Sequence, residues 1–311
     1  MGKVIRWSFW VVAPVLLVFA LVAWVDPYDY FGQRGPVPEM LKEKNLMHDG
    51  RTMPFSNALW KMIAFRRQPA PNVLLGDSRL SHFDLGRVEQ HTGEKYFNFG
   101  IPGGNFNSLF ASFWFADSVT SLKSVYLQVS FRTYTQAAAW DIWHEPSLAA
   151  SSALFYLTNR RVVEATGLNV ASALFADRLS YDVLPPDQWE KVMRIERDMA
   201  KGYVYPTTFH KELMRIAERC RQRGIRLYLL DFPSSTEAQQ ALLEAGLADE
   251  WERYREEMRS VGRYIDLNVP SALTRDRSKF RDPLHAGPEL QRWLIDTVWA
   301  TTGAEANAYS R

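Results

Sequence analysis

The fold of this chain turns on the stretch Val73-Leu74-Leu75-Gly76-Asp77-Ser78-Arg79. An apolar run stops at a glycine, an acid and a hydroxyl, the pattern of a buried parallel strand that ends on a reactive side chain. Ligands of open α/β sheets sit beyond the carboxyl ends of the strands, and Ser78 is expected there. Asp77 and Ser78 are also helix-capping types, which predicts a helix from about Leu80 onward. A serine near a helix N-terminus keeps its own backbone N–H free to face a developing oxyanion. Gly, Asp and Ser are equally common in turns, so the tripeptide alone is compatible with a plain strand-to-helix connection.

Outward from that stretch, short apolar runs alternate with longer helical patterns. Strands are expected near Asn72–Gly76, Lys95–Phe99, Ser124–Ser130, Ile225–Asp231 and Arg263–Leu267, and helices near Asn107–Asp117, Thr208–Arg223, Glu237–Val261 and Pro288–Thr302. Such alternation predicts an α/β fold in three layers, a parallel sheet with helices on both faces. Between Arg132 and about Pro206 no strand pattern appears, but helical patterns do, at Ser152–Glu164 and Asn169–Leu179. This region is expected to be a helical insertion, residues 132–206, leaning over the carboxyl edge of the sheet.

The N-terminal residues have a different character. Trp7 to Val25 form an uncharged run of about 19 residues, enough to cross a bilayer core at about 1.5 Å per residue. Lys3 and Arg6 precede it and Asp26 and Asp29 follow, which places the N-terminus in the cytoplasm and the rest outside. The run is longer than the apolar segment of a signal peptide and no small-x-small cleavage site follows it. The expected organisation is a transmembrane anchor in residues 1–25, a proline-dotted connector in 26–71 with one short helix near Ser56–Arg66, and a catalytic domain in 72–311.

The chain has 311 residues, a formal net charge of +2 and 47% hydrophobic residues, enough for one large α/β domain with a sizeable core. The near-zero net charge and the lack of a Lys/Arg-rich run argue against a nucleic-acid binder. Cys220, the single cysteine, lies in a helical pattern with Leu213, Ile216 and Ala217 and is expected to be a buried small hydrophobe. His48, His82, His91, His144 and His210 lack ligand-like spacing. No metal or phosphate-cradle signature appears, and no cofactor is expected.

The remaining histidine, His285, closes the segment Asp282-Pro283-Leu284-His285 ahead of an amphipathic helix. A serine hydroxyl is a poor nucleophile until a base takes its proton, and histidine suits that task near neutral pH. The histidine in turn needs a carboxylate to fix its tautomer, which Asp282 can supply if the loop folds back. Gly-Asp-Ser at the end of a first strand and Asp-x-x-His before the last helix together resemble the SGNH, or GDSL-type, hydrolase family.

Asn98-Phe99-Gly100-Ile101-Pro102-Gly103-Gly104-Asn105 is similar to that family's second block, in which a glycine N–H contributes to the oxyanion hole; Gly103 is the best match. The third block departs from the family. Leu127-Gln128-Val129-Ser130-Phe131-Arg132-Thr133 carries no oxyanion-hole Asn. Either two backbone donors suffice, or Arg132 or Asn105 takes over. Arg79 either meets an anionic acceptor or is a helix charge facing solvent or paired with Asp84.

An N-terminal anchor, Gly-Asp-Ser-Arg and a degraded third block resemble the cell-envelope O-acyltransferase branch, that of the alginate acetylation and teichoic-acid D-alanylation proteins; the order of Ser, Asp and His matches the latter. The resemblance implies a single-pass protein of the cytoplasmic membrane with its catalytic domain in the periplasm. It implies O-acetylation of an envelope or exported polysaccharide through an acyl-serine, beside a membrane-bound O-acyltransferase partner. The alternatives are a polysaccharide deacylase or esterase using the same triad, and a non-catalytic envelope scaffold.

Overall fold

Five short apolar runs assemble into one parallel sheet in the order β2-β1-β3-β4-β5. The strands are β1 (Asn72–Gly76), β2 (Tyr96–Gly100), β3 (Ser124–Val129), β4 (Arg226–Asp231) and β5 (Arg263–Asp266). The computed structural model describes residues 2–32, 35–48, 53–138, 140–175 and 188–309, with side chains over 12–32, 35–45, 54–138, 140–175 and 188–300. Each strand lies within a residue or so of its expected position. Every residue of β3 is buried, as are the first four of β1, because a central parallel strand meets a helix layer on each face.

Register places Gly76 beside Gly100 on one side, and Leu75 beside Leu127 on the other. The chain leaves β1 toward β2 on one flank and toward β3 on the opposite flank. Where the winding reverses, the carboxyl ends part and leave a crevice. Asp77 and Ser78 follow β1 at that switch point.

The C-terminal helix Pro288–Tyr309 covers one face, seating Leu290, Leu294, Val298 and the fully buried Trp299 against Leu74, Tyr126, Tyr228 and Leu230. The Trp299 ring lies 4.9 Å from that of Tyr126. The helices Phe106–Val119, Phe209–Arg223 and Ala248–Val261 form the opposite layer, where the rings of Phe106 and Phe209 stack at 5.4 Å. Cys220 is buried there, as expected, and burial pushes its thiol up to about 12, so it is inert. His82, His91 and His144 are exposed and His210 partly so; the His48 side chain lies outside the described residues.

Several boundaries differ from the sequence expectation. The expected helix Glu237–Val261 is two helices, Thr236–Glu244 and Ala248–Val261, because Gly246 takes a left-handed φ of +80° between them. No helix starts at Leu80. Leu80 N–H bonds Asp77 O and Ser81 N–H bonds Ser78 O in successive tight turns, and the helix begins at Leu85. Its cap is Asp84, which accepts Arg87 N–H; Asp77 and Ser78 are left for other work.

The chain separates into two compact units, Pro69–Asp141 with Leu184–Arg311, and Met1–Gln68 with Ile142–Val183. The first holds the sheet. The second joins most of the expected connector to the middle of the expected insertion. The connector carries two helices, Glu39–His48 and Met53–Arg67, and the insertion breaks at Asn159 between Ala153–Thr158 and Arg160–Phe175. The expected helix Asn169–Leu179 is the end of the latter; its residues past 175 lie outside the described ones. Asp26 ties this helical unit together: its buried carboxylate accepts Tyr30 N–H, Phe31 N–H and the Tyr156 hydroxyl, each at 2.8 Å.

The expected anchor, Trp7–Val25, falls within a helix over Gly2–Val25 that contains Pro14. The side chains of residues 2–11 lie outside the described ones, and among the described residues no helix is long and apolar enough to cross a membrane.

Candidate active site

Asp-Pro-Leu-His folds back on itself as a two-residue hairpin. The strands β6 (Phe280–Asp282) and β7 (His285–Ala286) pair antiparallel with Asp282 opposite His285. A spacing of three therefore brings carboxylate and imidazole face to face. Asp282 Oδ1 accepts the N–H groups of Leu284 at 3.0 Å and His285 at 3.1 Å, and the ring Nδ1 lies 2.8 Å from both carboxylate oxygens. Ser235 N–H donates to Pro283 O at 2.8 Å and ties the hairpin to the loop after β4.

The other ring nitrogen, Nε2, stands 2.8 Å from the Ser78 hydroxyl. With Nδ1–H donated to Asp282, Nε2 carries the lone pair and can accept a hydrogen bond from the Ser78 hydroxyl. Burial alone would raise the Asp282 carboxyl. The hydrogen bond and charge of His285, with the two backbone N–H groups, outweigh it and hold the carboxyl below the usual range. The carboxylate thus stays ionised behind a ring that can take a proton.

The turn that carries Ser78 is built on a buried ion pair. Asp77 accepts Arg79 N–H at 2.9 Å, Arg79 Nε at 3.1 Å and Arg79 Nη2 at 2.7 Å. Burial would raise Asp77, yet Arg79 holds it down at about 2, with His285 adding to the effect. Arg79 is 8% exposed, so it is neither a solvent-facing charge nor a partner of Asp84.

Gly103 forms the corner of a tight turn in which Gly104 N–H bonds Ile101 O at 2.9 Å. Pro102 followed by Gly103 at φ +75° matches the second and third positions of a type II turn. A Cβ on Gly104 would meet Gly76 O at 3.2 Å and Asp77 Cα at 3.3 Å, so this loop lies against the turn that carries Ser78. Among the described residues the N–H groups of Ser78 and Gly103 have no hydrogen-bond partner. Trp140 Nε1 donates to Gly103 O at 3.0 Å and braces the loop from outside.

The two expected side-chain substitutes for the missing Asn are committed elsewhere. Asn105 caps the helix Phe106–Val119 through its oxygen, and its amide nitrogen donates to Ala138 O at 2.6 Å and Trp140 O at 2.8 Å. Both amide hydrogens are thereby used. Arg132 bonds both Glu196 oxygens through Nε and reaches Met199 Sδ through Nη2. The residue that does meet the Ser78 turn is one with no role in the sequence expectation: Gln128 Oε1 accepts Asp77 N–H at 2.9 Å. Its signal was visible, a lone amide inside a buried apolar strand. Among the described residues no group of three or more His, Cys, Asp or Glu is placed to hold a metal.

No family model matches the chain, and no curated protein is matched by it. The chain is similar in structure to a GDSL-like lipase from Bacteroides thetaiotaomicron, at 11% identity and a TM-score of 0.40 over 80% of this chain and 99% of that one. A provisionally assigned acylhydrolase from Bacteroides fragilis aligns at 12% identity and a TM-score of 0.37, over 82% and 98%. A protein provisionally assigned as a platelet activating factor from Streptococcus pneumonia aligns at 11% and 0.38, over 84% and 97%.

Proposed function

We propose that this chain is a serine acyl-group enzyme that acetylates a hydroxyl of a cell-envelope or exported polysaccharide. The observation that carries the chemistry is the line Ser78 Oγ, His285, Asp282, with 2.8 Å at each step. Ser78 Oγ attacks the carbonyl carbon of an acyl donor while its proton passes to His285 Nε2. The N–H groups of Ser78 and Gly103 receive the oxyanion. Collapse expels the leaving group, which takes the proton from His285, and leaves acyl-Ser78. A sugar hydroxyl then attacks, losing its proton to His285, and Ser78 Oγ departs with that proton.

We further propose that the helix Gly2–Val25 anchors the chain in the cytoplasmic membrane, with the catalytic unit in the periplasm beside a membrane-bound O-acyltransferase. Leu16, Leu17 and Trp24 are 59, 70 and 62% exposed, apolar surface that is costly in water. Lys3 and Arg6 supply the orientation.

The second reading is hydrolysis, favoured by the 27% exposure of the His285 side chain, which lets water share its reach. The test incubates full-length protein in detergent with p-nitrophenyl acetate, with and without an oligosaccharide acceptor. Acetylated oligosaccharide above the no-enzyme control supports transfer. Nitrophenol release with all the acetyl recovered as acetate supports the esterase.

A further inference from the structure

Gln128 stands on β3, across the switch point from Gly76. It is 5% exposed, and its Oε1 takes the N–H of Asp77, the residue immediately before Ser78. Gly76 has no side chain for a reason that lies in this contact. A Cβ at residue 76 would stand 2.4 Å from Gln128 Oε1 and 2.7 Å from both Gln128 Cβ and Leu80 Cδ1, the amide oxygen being the nearest. The glycine of Gly-Asp-Ser and the amide of Gln128 are therefore one fitted pair.

The other end of the amide is informative too. Nε2 is buried and has no hydrogen-bond partner among the described residues. An unpaired buried donor is a cost that Met or Leu, of similar size, would not carry. Either would, however, leave Asp77 N–H without an acceptor. What only an acceptor supplies is the bond to Asp77 N–H, which fixes the peptide leading into Ser78.

We propose that Gln128 is a positioning residue for the nucleophile. Through Asp77 N–H it holds the turn after β1 so that the Ser78 hydroxyl lies within reach of His285 and its own N–H faces the oxyanion. This rests on Ser78 being the nucleophile. Gln128 touches no reacting atom and acts only through the backbone. The third-block strand thus contributes by setting the serine's position, in place of an oxyanion donor.

The experiment measures the rate at which a fluorophosphonate labels Ser78 in full-length protein, together with the melting temperature and the kcat and KM for p-nitrophenyl acetate. Gln128→Met keeps the volume and removes the acceptor. It is expected to slow labelling and lower kcat on the order of tenfold to a hundredfold, with KM little changed and the protein folded. Gly76→Ala displaces the same amide and also crowds Leu80 Cδ1, so it is expected to lose at least as much, and the double variant less than the product of the two losses, since they share the bond to Asp77 N–H. Gln128→Glu keeps an oxygen to accept Asp77 N–H in either protonation state but, when ionised, adds a negative charge at a buried site next to Asp77, so its rate relative to wild type should rise as pH falls. Wild-type labelling by Gln128→Met, or a lower melting temperature with unchanged rates, overturns the proposal while Ser78 keeps its role. A wild-type Ser78 that does not label removes the reading of the site itself, and this proposal with it.

Discussion

Ser78 and His285 are 207 residues apart in the chain and 2.8 Å apart in the fold. Two local devices produce that meeting. A strand ends at a switch point and presents the serine, and a two-residue hairpin stacks the histidine on its own carboxylate.

Removing the carboxylate's charge should disable the base without disturbing the fold. Asp282→Asn allows the imidazole to take the tautomer with its proton on Nε2, where it cannot accept from Ser78. Acylation measured by nitrophenol release should fall roughly 10³- to 10⁴-fold. Circular dichroism of the folded protein should be unchanged. A loss of less than tenfold would mean that Asp282 is not the orienting group.

Gly103→Ala places a side chain at φ +75°, a conformation that costs an L-residue about 1–2 kcal/mol. The turn is then pushed toward type I, in which the peptide between Pro102 and residue 103 is flipped and the N–H points elsewhere. The expected result is a fall in kcat of about tenfold to a hundredfold with a small drop in melting temperature. Full activity in the variant would remove Gly103 from the oxyanion hole.

Arg79 follows Ser78 but its guanidinium is engaged with Asp77 in the interior. Arg79→Leu leaves a buried carboxylate without its partner and should cost about 3–5 kcal/mol of stability in denaturant unfolding. Charge on the acceptor should make no difference to the defect. A variant of normal stability that loses only anionic acceptors would contradict this and return Arg79 to substrate binding.

Asp231, at the end of β4, bears the hydroxyls of Tyr254 and Tyr264 on one oxygen. Burial lifts its carboxyl to about 7, with Asp266 adding to the rise and Arg79 opposing it. An unfolded Asp titrates near ~4. Between those values the folded chain holds a proton that the unfolded chain has released, so stability should fall as pH rises from about 4 to about 7 and level off above that. Asp231→Asn removes the titrating group. Its melting temperature should fall less than that of wild type over this window, and parallel curves would contradict the assignment.

The parts of this fold that were legible in the sequence are those set by local pattern. Five strands announce themselves as short runs rich in apolar residues, and Asp282 and His285 carry their pairing in their spacing. The parts that were not legible depend on partners distant in sequence. Asn105 reads as a free amide until Ser108, Ala138 and Trp140 are seen to use it. Arg132 reads as a cation near the third strand until Glu196 takes it. Asp77 and Ser78 resemble a cap, but the true cap is Asp84, because Arg79 and Gln128 hold the turn that intervenes. The union of residues 1–68 with 142–183 is likewise set by tertiary links, among them Asp26 with Tyr156.

Whether the hydroxyl facing His285 is an activated nucleophile can be measured on the intact protein. Full-length chain in detergent is exposed to a fluorophosphonate, whose phosphorus bonds Ser78 Oγ as fluoride leaves, and is then weighed and mapped by peptide mass. One adduct per chain on Ser78, slowed at least a hundredfold in His285→Ala and absent in Ser78→Ala, is the predicted result. An unmodified wild-type chain, or an equal adduct in Ser78→Ala, would contradict it.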